Sequence, residues 1–506
     1  MRAKKEISES VSESELNNVN TKKILFVSSE LAPFSKVGGL GDVVGSLPAA
    51  ICKTGADVRV LTPAYGSANG KGGVLDKVRA LKYELRRISF PVVVALGNIP
   101  VYCTVYETEI DGVVTWFLEC PDIFSETIYP SYVDSYAIRP FILLNLAALE
   151  LYRAVNWVPD VFHCHDWPTA ILPITLAWHH YYSQLHKNTK TVFTIHNLAH
   201  QGVFKPEDFF HLTGIDKNCF NPYGIEFYYN INLLKGAIVA CKNITTVSPT
   251  YAAEIQTYEG GVGLDGVLRT HSAKLSGILN GIDTDYWNPQ TDKNITSQYS
   301  INDLSGKKKN RDELIKKCSW KDDKRPLIVC VSRLVEQKGF DLILPAIPRL
   351  AEIGARFIFL GSGDKYIENG LSNAQQVHSE EIKFFNEFDE GLAHLIYSGG
   401  DMFLMPSLFE PCGLSQMISM RYGAVPVARA VGGLADTIID VNFDSKDLSN
   451  GFLFHDYTQD SMLSTLKLAI ALFSDNAEWT KLMRRGMQAD FTWKKSALSY
   501  LDIYKK

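Results

Sequence analysis

The sequence predicts a two-part α/β protein built on parallel sheets. Short apolar runs rich in β-branched residues recur along the chain, nearly continuous in apolar character instead of alternating. Strands covered on both faces read this way. Helix-like stretches, such as Phe141 to Arg153 and Ala170 to Tyr182, separate them. That strand–helix–strand repetition implies a parallel sheet. The pattern then restarts after a polar stretch from about 288 to 324 that is rich in Asn and Lys.

In the first set, the strands are Lys23–Ser29, Asp57–Leu61, Asp160–His163, Thr191–Ile195 and Asn243–Val247. The second set comprises Pro326–Ser332, Arg356–Leu360, Asp401–Met405 and Val425–Ala428. A domain change is expected near residue 275, with Leu275–Asp283 opening the second half. Asn476–Lys506 reads as helix. The expected division is a disordered tail over 1–21, a first domain over 22–274, a second over 275–480 and a closing helix over 481–506. Two such domains normally hold ligand in the cleft between them, at the carboxyl ends of their strands.

Composition agrees. The chain has 506 residues, 46% hydrophobic and 21% charged, enough for two or three cores without staples. Its 51 basic and 56 acidic residues give a net charge of −5, which leaves no basic field to collect nucleic acid or anionic lipid. No apolar run reaches the roughly 18 residues of a membrane span. Nine cysteines, scattered and without a C-x-x-C, read as reduced thiols and not as a zinc site. The polar start, with Glu6, Glu9, Glu13 and Glu15 among serines, is neither a secretory signal nor a transit peptide.

Chemistry-bearing clusters follow the predicted strands. Lys36-Val-Gly-Gly-Leu-Gly-Asp42 stands between the first strand and a helix. It fits a tight turn, or a cradle where Gly38 and Gly39 let an anion approach the helix start; Lys36 tilts the reading toward the anion. The dinucleotide pattern is not met, because Val44 stands where its last glycine would be. His163-Cys-His-Asp-Trp167 could suggest a metal, but side chains at a strand end alternate faces and do not converge. A structural histidine, or a substrate contact from His165, is the competing reading. Arg333 and Lys338 leave the end of a strand together, and a guanidinium fork with an ammonium suits a diphosphate. A solvated charge pair is the bland alternative. Glu410, in Pro406-Ser-Leu-Phe-Glu-Pro-Cys-Gly-Leu414, is read as a carboxylate at a helix start. Val431-Gly-Gly-Leu434 supplies another glycine-lined helix start.

In order, these motifs resemble bacterial glycogen synthase and plant starch synthase, family 5 glycosyltransferases of the GT-B fold. The resemblance runs from about Lys23 to the closing helix. It rests on the Lys36 loop, His163–Trp167, Thr194–Gly202, Thr246–Thr250, Asn280–Pro289, Ser332–Gly339, Phe409–Gln416 and Gly432–Thr437. Val37, where many members carry threonine, resembles the starch synthase III and IV branch.

The resemblance implies two Rossmann-like domains facing across a cleft, with the closing helix returning to the first. It implies transfer of glucose from ADP-glucose to the non-reducing-end 4-hydroxyl of an α-1,4-glucan or maltooligosaccharide, with retention. No metal and no pyridoxal phosphate are implied. Lys36, Gly38 and Gly39 would lie near the donor. Arg333 and Lys338 would hold the diphosphate, and Gly432, Gly433 and Leu434 would add backbone donors. Glu410 would bind the glucose hydroxyls beside Cys412, Gly413 and Leu414. Asp134, His165 and Asn232 would line the sugar site. Phe388 stands where an adenine-stacking tyrosine is expected, which keeps stacking but loses a phenolic hydrogen bond. Ile418 occupies the place where related retaining transferases carry a second acid, a departure the synthase branch shares. Neither nucleic acid nor membrane is an implied partner. Bacterial cytoplasm and plastid stroma both fit reduced cysteines. Rival readings are a sucrose-type transferase, a glucan phosphorylase and a non-catalytic glucan-binding scaffold.

Overall fold

The computed structural model describes residues 22–66, 72–125, 127–129, 137–387, 389–442 and 447–506. The tail expected over 1–21 lies outside them. The first thirteen strands are β1 (Lys23–Val27), β2 (Asp57–Pro63), β3 (Arg86–Arg87), β4 (Val92–Leu96), β5 (Ile99–Ile110), β6 (Val113–Glu119), β7 (Val161–His165), β8 (Lys190–Ile195), β9 (Val203–Phe204), β10 (Glu226–Phe227), β11 (Asn230–Asn232), β12 (Asn243–Thr246) and β13 (Leu275–Gly277). Ten of them form one sheet in the order β13-β12-β8-β7-β1-β2-β6-β5-β3, with β4 paired to β5. From β13 to β6 every pairing is parallel. The remaining three make a small sheet, β10-β11-β9.

A second unit carries β14 (Leu327–Val331), β15 (Arg356–Leu360), β16 (Ile382–Phe385), β17 (Met402–Met405), β18 (Val425–Arg429) and β19 (Phe452–Phe454). These form an all-parallel sheet, β16-β15-β14-β17-β18-β19. That is the doubly wound order, in which the chain departs from β14 to one side and from β17 to the other. The carboxyl ends of β14 and β17 therefore flank a point where side chains can gather without obstruction by a crossover. In the first sheet β1 and β7 hold the equivalent positions.

The division of the chain differs in detail from the sequence reading. One unit holds the chain through Thr246, then Ile255–Ile278 and Trp493–Lys506; the other holds Val247–Glu254 and Leu279–Thr492. Leu275–Gly277, expected to open the second domain, instead extends the first sheet, where Leu275 pairs with Ile244. The expected single closing helix is two. Asn476–Gln488 starts on the cap of Asp475, whose carboxylate accepts the Ala477 and Glu478 amides. Trp493–Lys505 follows a break, and only this second helix belongs to the first unit.

That helix is fixed to the sheet by polar as well as apolar contacts. Tyr500, Leu501 and Tyr504 are buried. The Tyr504 hydroxyl lies 2.8 Å from Nδ1 of fully buried His163 on β7, and Lys190 Nζ donates to the Lys505 carbonyl at 2.8 Å. All nine cysteines are free thiols. Among the described residues, no helix is long and apolar enough to cross a membrane.

Tyr504→Phe removes a buried hydroxyl and leaves His163 Nδ1 without its partner. We expect the first unit to lose about 1–3 kcal/mol, read as a lower midpoint in urea denaturation.

Candidate active site

In the first unit, the loop after β1 is organised by Glu30. Glu30 is buried, and its Oε2 accepts the amides of Val37 at 2.7 Å and Gly38 at 3.0 Å. Its Oε1 accepts the Tyr129 hydroxyl at 2.6 Å. Burial, with Glu30 beside it, holds the Tyr129 phenol well above its ordinary range. Gly38 then caps the helix Gly39–Cys52. Among the described residues, a Cβ on Gly38 or Gly39 would meet nothing within 4 Å, so none of them closes the loop's outer side. The Gly38 amide is nevertheless committed to Glu30. Lys36 is partly exposed and reaches Asp42 Oδ1 at 2.7 Å. The sequence reading missed Glu30, which stands seven residues before Val37. No motif marks an acid at that spacing as a loop anchor. The chain must first fold back through the turn closed by Leu31 and Ser35 before Oε2 can meet these amides.

The carboxyl end of β7 brings a second group together. His165 is fully buried, with Nδ1 3.0 Å from His196 Nε2. Its Nε2 has no hydrogen-bond partner among the described residues. Contrary to the expectation that these side chains do not converge, His163 and His165, two residues apart, share one face of β7, and their rings lie 4.2 Å apart. Burial holds both imidazoles well below the usual histidine range and pushes His196 down to about 3, so all three are neutral near pH 7. Asp166 accepts the His196 amide at 2.7 Å, and burial pushes its carboxyl up to about 7. Among the described residues, no group of three or more His, Cys, Asp or Glu is placed to hold a metal ion. Asn232 is also fully buried, but its side chain is committed. Oδ1 accepts the Lys235 amide and caps a helix, while Nδ2 donates to Gln201 Oε1 at 2.6 Å.

The second unit's groups stand at the ends of β14 and β17. Lys338 closes a short 3-10 turn after β14, and its Nζ lies 2.6 Å from Glu410 Oε2, with side-chain exposures of 18% and 7%. Ser407 Oγ donates to the same oxygen at 3.0 Å. Gly339 permits this approach: its φ is 77°, and a Cβ there would run into the Pro406 carbonyl oxygen. Glu410 does not cap a helix, as the sequence reading expected, because the next helix starts only at Ser415. Its charge is met by the lysine instead. Arg333 is exposed, and among the described residues its guanidinium has no hydrogen bond or ion pair.

Beyond Glu410, Gln416 Nε2 donates to the carbonyls of Cys412 and Gly413 and to Thr437 Oγ1, which pins the loop of Cys412, Gly413 and Leu414. Burial pushes the Cys412 thiol up to about 12. The glycines at the start of helix Gly432–Thr437 are placed differently from expectation. The Gly432 amide donates to Glu254 Oε1 at 2.9 Å, and the Gly433 amide donates to the Glu410 carbonyl at 3.1 Å. Leu434 is fully buried, with its amide bonded to the Val431 carbonyl. These amides are thus engaged within their own unit. Leu434 falls on the apolar side of its helix, which turns it into the core. Asp134 and Phe388 lie outside the described residues.

Residues 23–270 match the family described as starch synthase catalytic domain, and residues 311–483 match glycosyl transferases group 1. The glycogen synthase of Clostridium beijerinckii is 39% identical, over 96% of this chain and 99% of that protein. The glycogen synthase of Geotalea daltonii is 40% identical, over 96% and 98%. Among solved structures, the catalytic domain of starch synthase IV from Arabidopsis thaliana, bound to ADP and acarbose, superposes with a TM-score of 0.87. It is 34% identical and covers 96% of this chain and 99% of its own.

Two expectations follow from the geometry. Glu30→Ala strips the acceptor from two amides, so hydrogen exchange at Val37 and Gly38 should accelerate by about tenfold or more, the effect of losing roughly 1.4 kcal/mol of local protection. The buried histidines give a pH dependence. They take up protons below about pH 6.5 when unfolded but resist doing so when folded, so the stability they confer is present above that pH and lost as pH falls. Asp166 opposes this, because its folded carboxyl protonates near 7 and its unfolded one only near 3.8. Three histidines outweigh one carboxyl, so the urea midpoint should be lower at about pH 5.5 than at about pH 7.5.

Proposed function

The chain belongs to the glycogen and starch synthase family, glucosyltransferases of the GT-B fold, and on that premise we infer that it moves glucose from ADP-glucose to the non-reducing-end 4-hydroxyl of an α-1,4-glucan, with retention. The observation that carries the residue assignment is the gathering of Lys338 and Glu410 at the ends of β14 and β17, the two strands that flank the reversal of the second sheet. Ligands of open α/β sheets bind at such points.

Breaking the bond to the anomeric carbon leaves positive character on the sugar and negative charge on the departing diphosphate. Arg333, whose fork has no partner among the described residues, is available to that diphosphate, and Lys338 can turn from Glu410 toward it. Charge that grows on the leaving group is best stabilised by groups already fixed in place. Glu410, still held by Ser407 when Lys338 turns to the diphosphate, accepts hydroxyl hydrogens of the glucose. From the first unit, His165 offers to the sugar an Nε2 that has no partner among the described residues, and Lys36 serves the donor. Asn232 acts through Gln201, which it holds. Asp134 and Phe388 keep the sugar and adenine roles implied by the resemblance. The acceptor 4-hydroxyl attacks from the face the diphosphate leaves, forming the new C1–O4 bond as the old C1–O bond breaks. Its proton passes to the departing phosphate oxygen. This reaction takes place without a metal or pyridoxal phosphate, in a reducing compartment such as the bacterial cytoplasm or the plastid stroma.

The test is transfer of labelled glucose from ADP-glucose, and separately UDP-glucose, to glycogen with chelator present. Elongation from ADP-glucose is the expected result, and elongation from neither donor would overturn the reading. Arg333→Ala is the cleanest site variant, since it breaks no ion pair among the described residues. It should lower kcat/KM roughly 10²–10³-fold with unchanged thermal stability. Full activity in this variant would remove Arg333 from the site.

A further inference from the structure

Two tyrosines form the tip of a hairpin where turn chemistry favours other residues. β10 and β11 pair antiparallel, with Phe227 opposite Asn230, so Tyr228 and Tyr229 are the two-residue loop. Both have positive φ, 48° and 64°. Such a loop is best filled by Asn-Gly, and a Cβ at either position is strained. Packing does not compensate, because Tyr228 is 78% exposed and Tyr229 89% exposed. Neither folding nor burial accounts for two aromatic rings at this place.

What lies behind the tip suggests their use. The Tyr228 ring stands edge-on to Phe227, 4.7 Å between centroids. Phe227 lines a cavity of about 490 Å³ together with Tyr129, Phe141, Trp167, Phe204 and Gln201. Trp167 is two residues from His165, and Gln201 is the partner of Asn232. Aromatic surface therefore runs from the neighbourhood of the proposed sugar site, through Phe227, to the exposed tip. Tyr229 lies three residues before Asn232, roughly 10 Å along an extended strand. A pyranose ring has an apolar face of C–H groups and a rim of hydroxyls. A tyrosine, with an apolar ring and a polar end, matches both.

We propose that the Tyr228–Tyr229 hairpin tip is an outlying binding site for the acceptor α-glucan, holding glucose units beyond those in the cavity and favouring long chains over short ones. The proposal rests on the glucan reading above.

The test uses Tyr228→Asn/Tyr229→Gly, which installs the favoured turn and removes both rings. The variant should be at least as thermally stable as the parent. Its KM for glycogen should rise roughly 5- to 50-fold, the order expected for two lost stacking contacts. KM for maltose, KM for ADP-glucose and kcat should stay unchanged. Tyr228→Ser, which keeps Tyr229 in place, should give a smaller rise and covers the case of a double variant that misfolds. An unchanged glycogen KM in a folded variant overturns the proposal. Affinity electrophoresis through glycogen separates this proposal from the one it rests on. Weaker retardation of the variant than of the parent supports the tip even if the parent transfers no glucose, whereas equal retardation argues against it.

Discussion

A carboxylate taken out of water needs its charge met, and Glu410 meets that demand through Lys338. The contact is 2.6 Å long and only 7% of the Glu410 side chain is exposed. Removing one partner of such a pair strands the other, which is why buried pairs cost more to break than they add when intact. The pair also ties together the loops that follow β14 and β17, and it constrains much around it. Gly339 must lack a side chain for the lysine loop to pass the Pro406 carbonyl. Gln337 reinforces the junction, accepting the Leu408 amide on its carbonyl and donating its side-chain amide to the Phe409 carbonyl.

The same arrangement recurs at other groups suited to an anion. Lys36 is met by Asp42, the Val37 and Gly38 amides by Glu30, and the Gly432 amide by Glu254. In each case a carboxylate of the same unit occupies the donor. Burial raises the Glu254 carboxyl from its ordinary value even though the Gly432 amide opposes the shift, so this partner holds its charge less firmly. On the proposed reading, a diphosphate that reached any one of these groups would exchange one anion for another and would not fill an unpaired donor. Its affinity is then a difference between two sets of charge-assisted hydrogen bonds. Arg333, whose guanidinium has no partner among the described residues, is the exception.

Much of this was legible in sequence because parallel strands covered on both faces are unbroken apolar runs, and because chemistry follows their carboxyl ends. Lys338 and Glu410 could be found in that way although 72 residues separate them. Their direct pairing could not, since it depends on the order of strands in the sheet. Glu254 was hidden for the same reason, as it meets Gly432 across 178 residues. Leu275–Gly277 reads as the start of the second half, yet pairs in the first sheet, because a three-residue edge strand carries too little pattern to name its neighbour. Asn232 was read only as a sugar-site residue, and its Oδ1 instead caps the helix that follows, a role that depends on where that helix starts.

The chain leaves its first unit and comes back to it, and this orders its synthesis. The helix that completes the first unit leaves the ribosome long after the sheet it covers: Tyr504 follows its partner His163 by 341 residues. At about 5–20 residues per second, the interval is roughly 17–70 s. Through that time the nascent sheet carries an uncovered strip where Tyr500, Leu501 and Tyr504 will lie. The first unit is thus the earlier to begin folding and the later to finish, and the second can assemble while the first still waits for its cover.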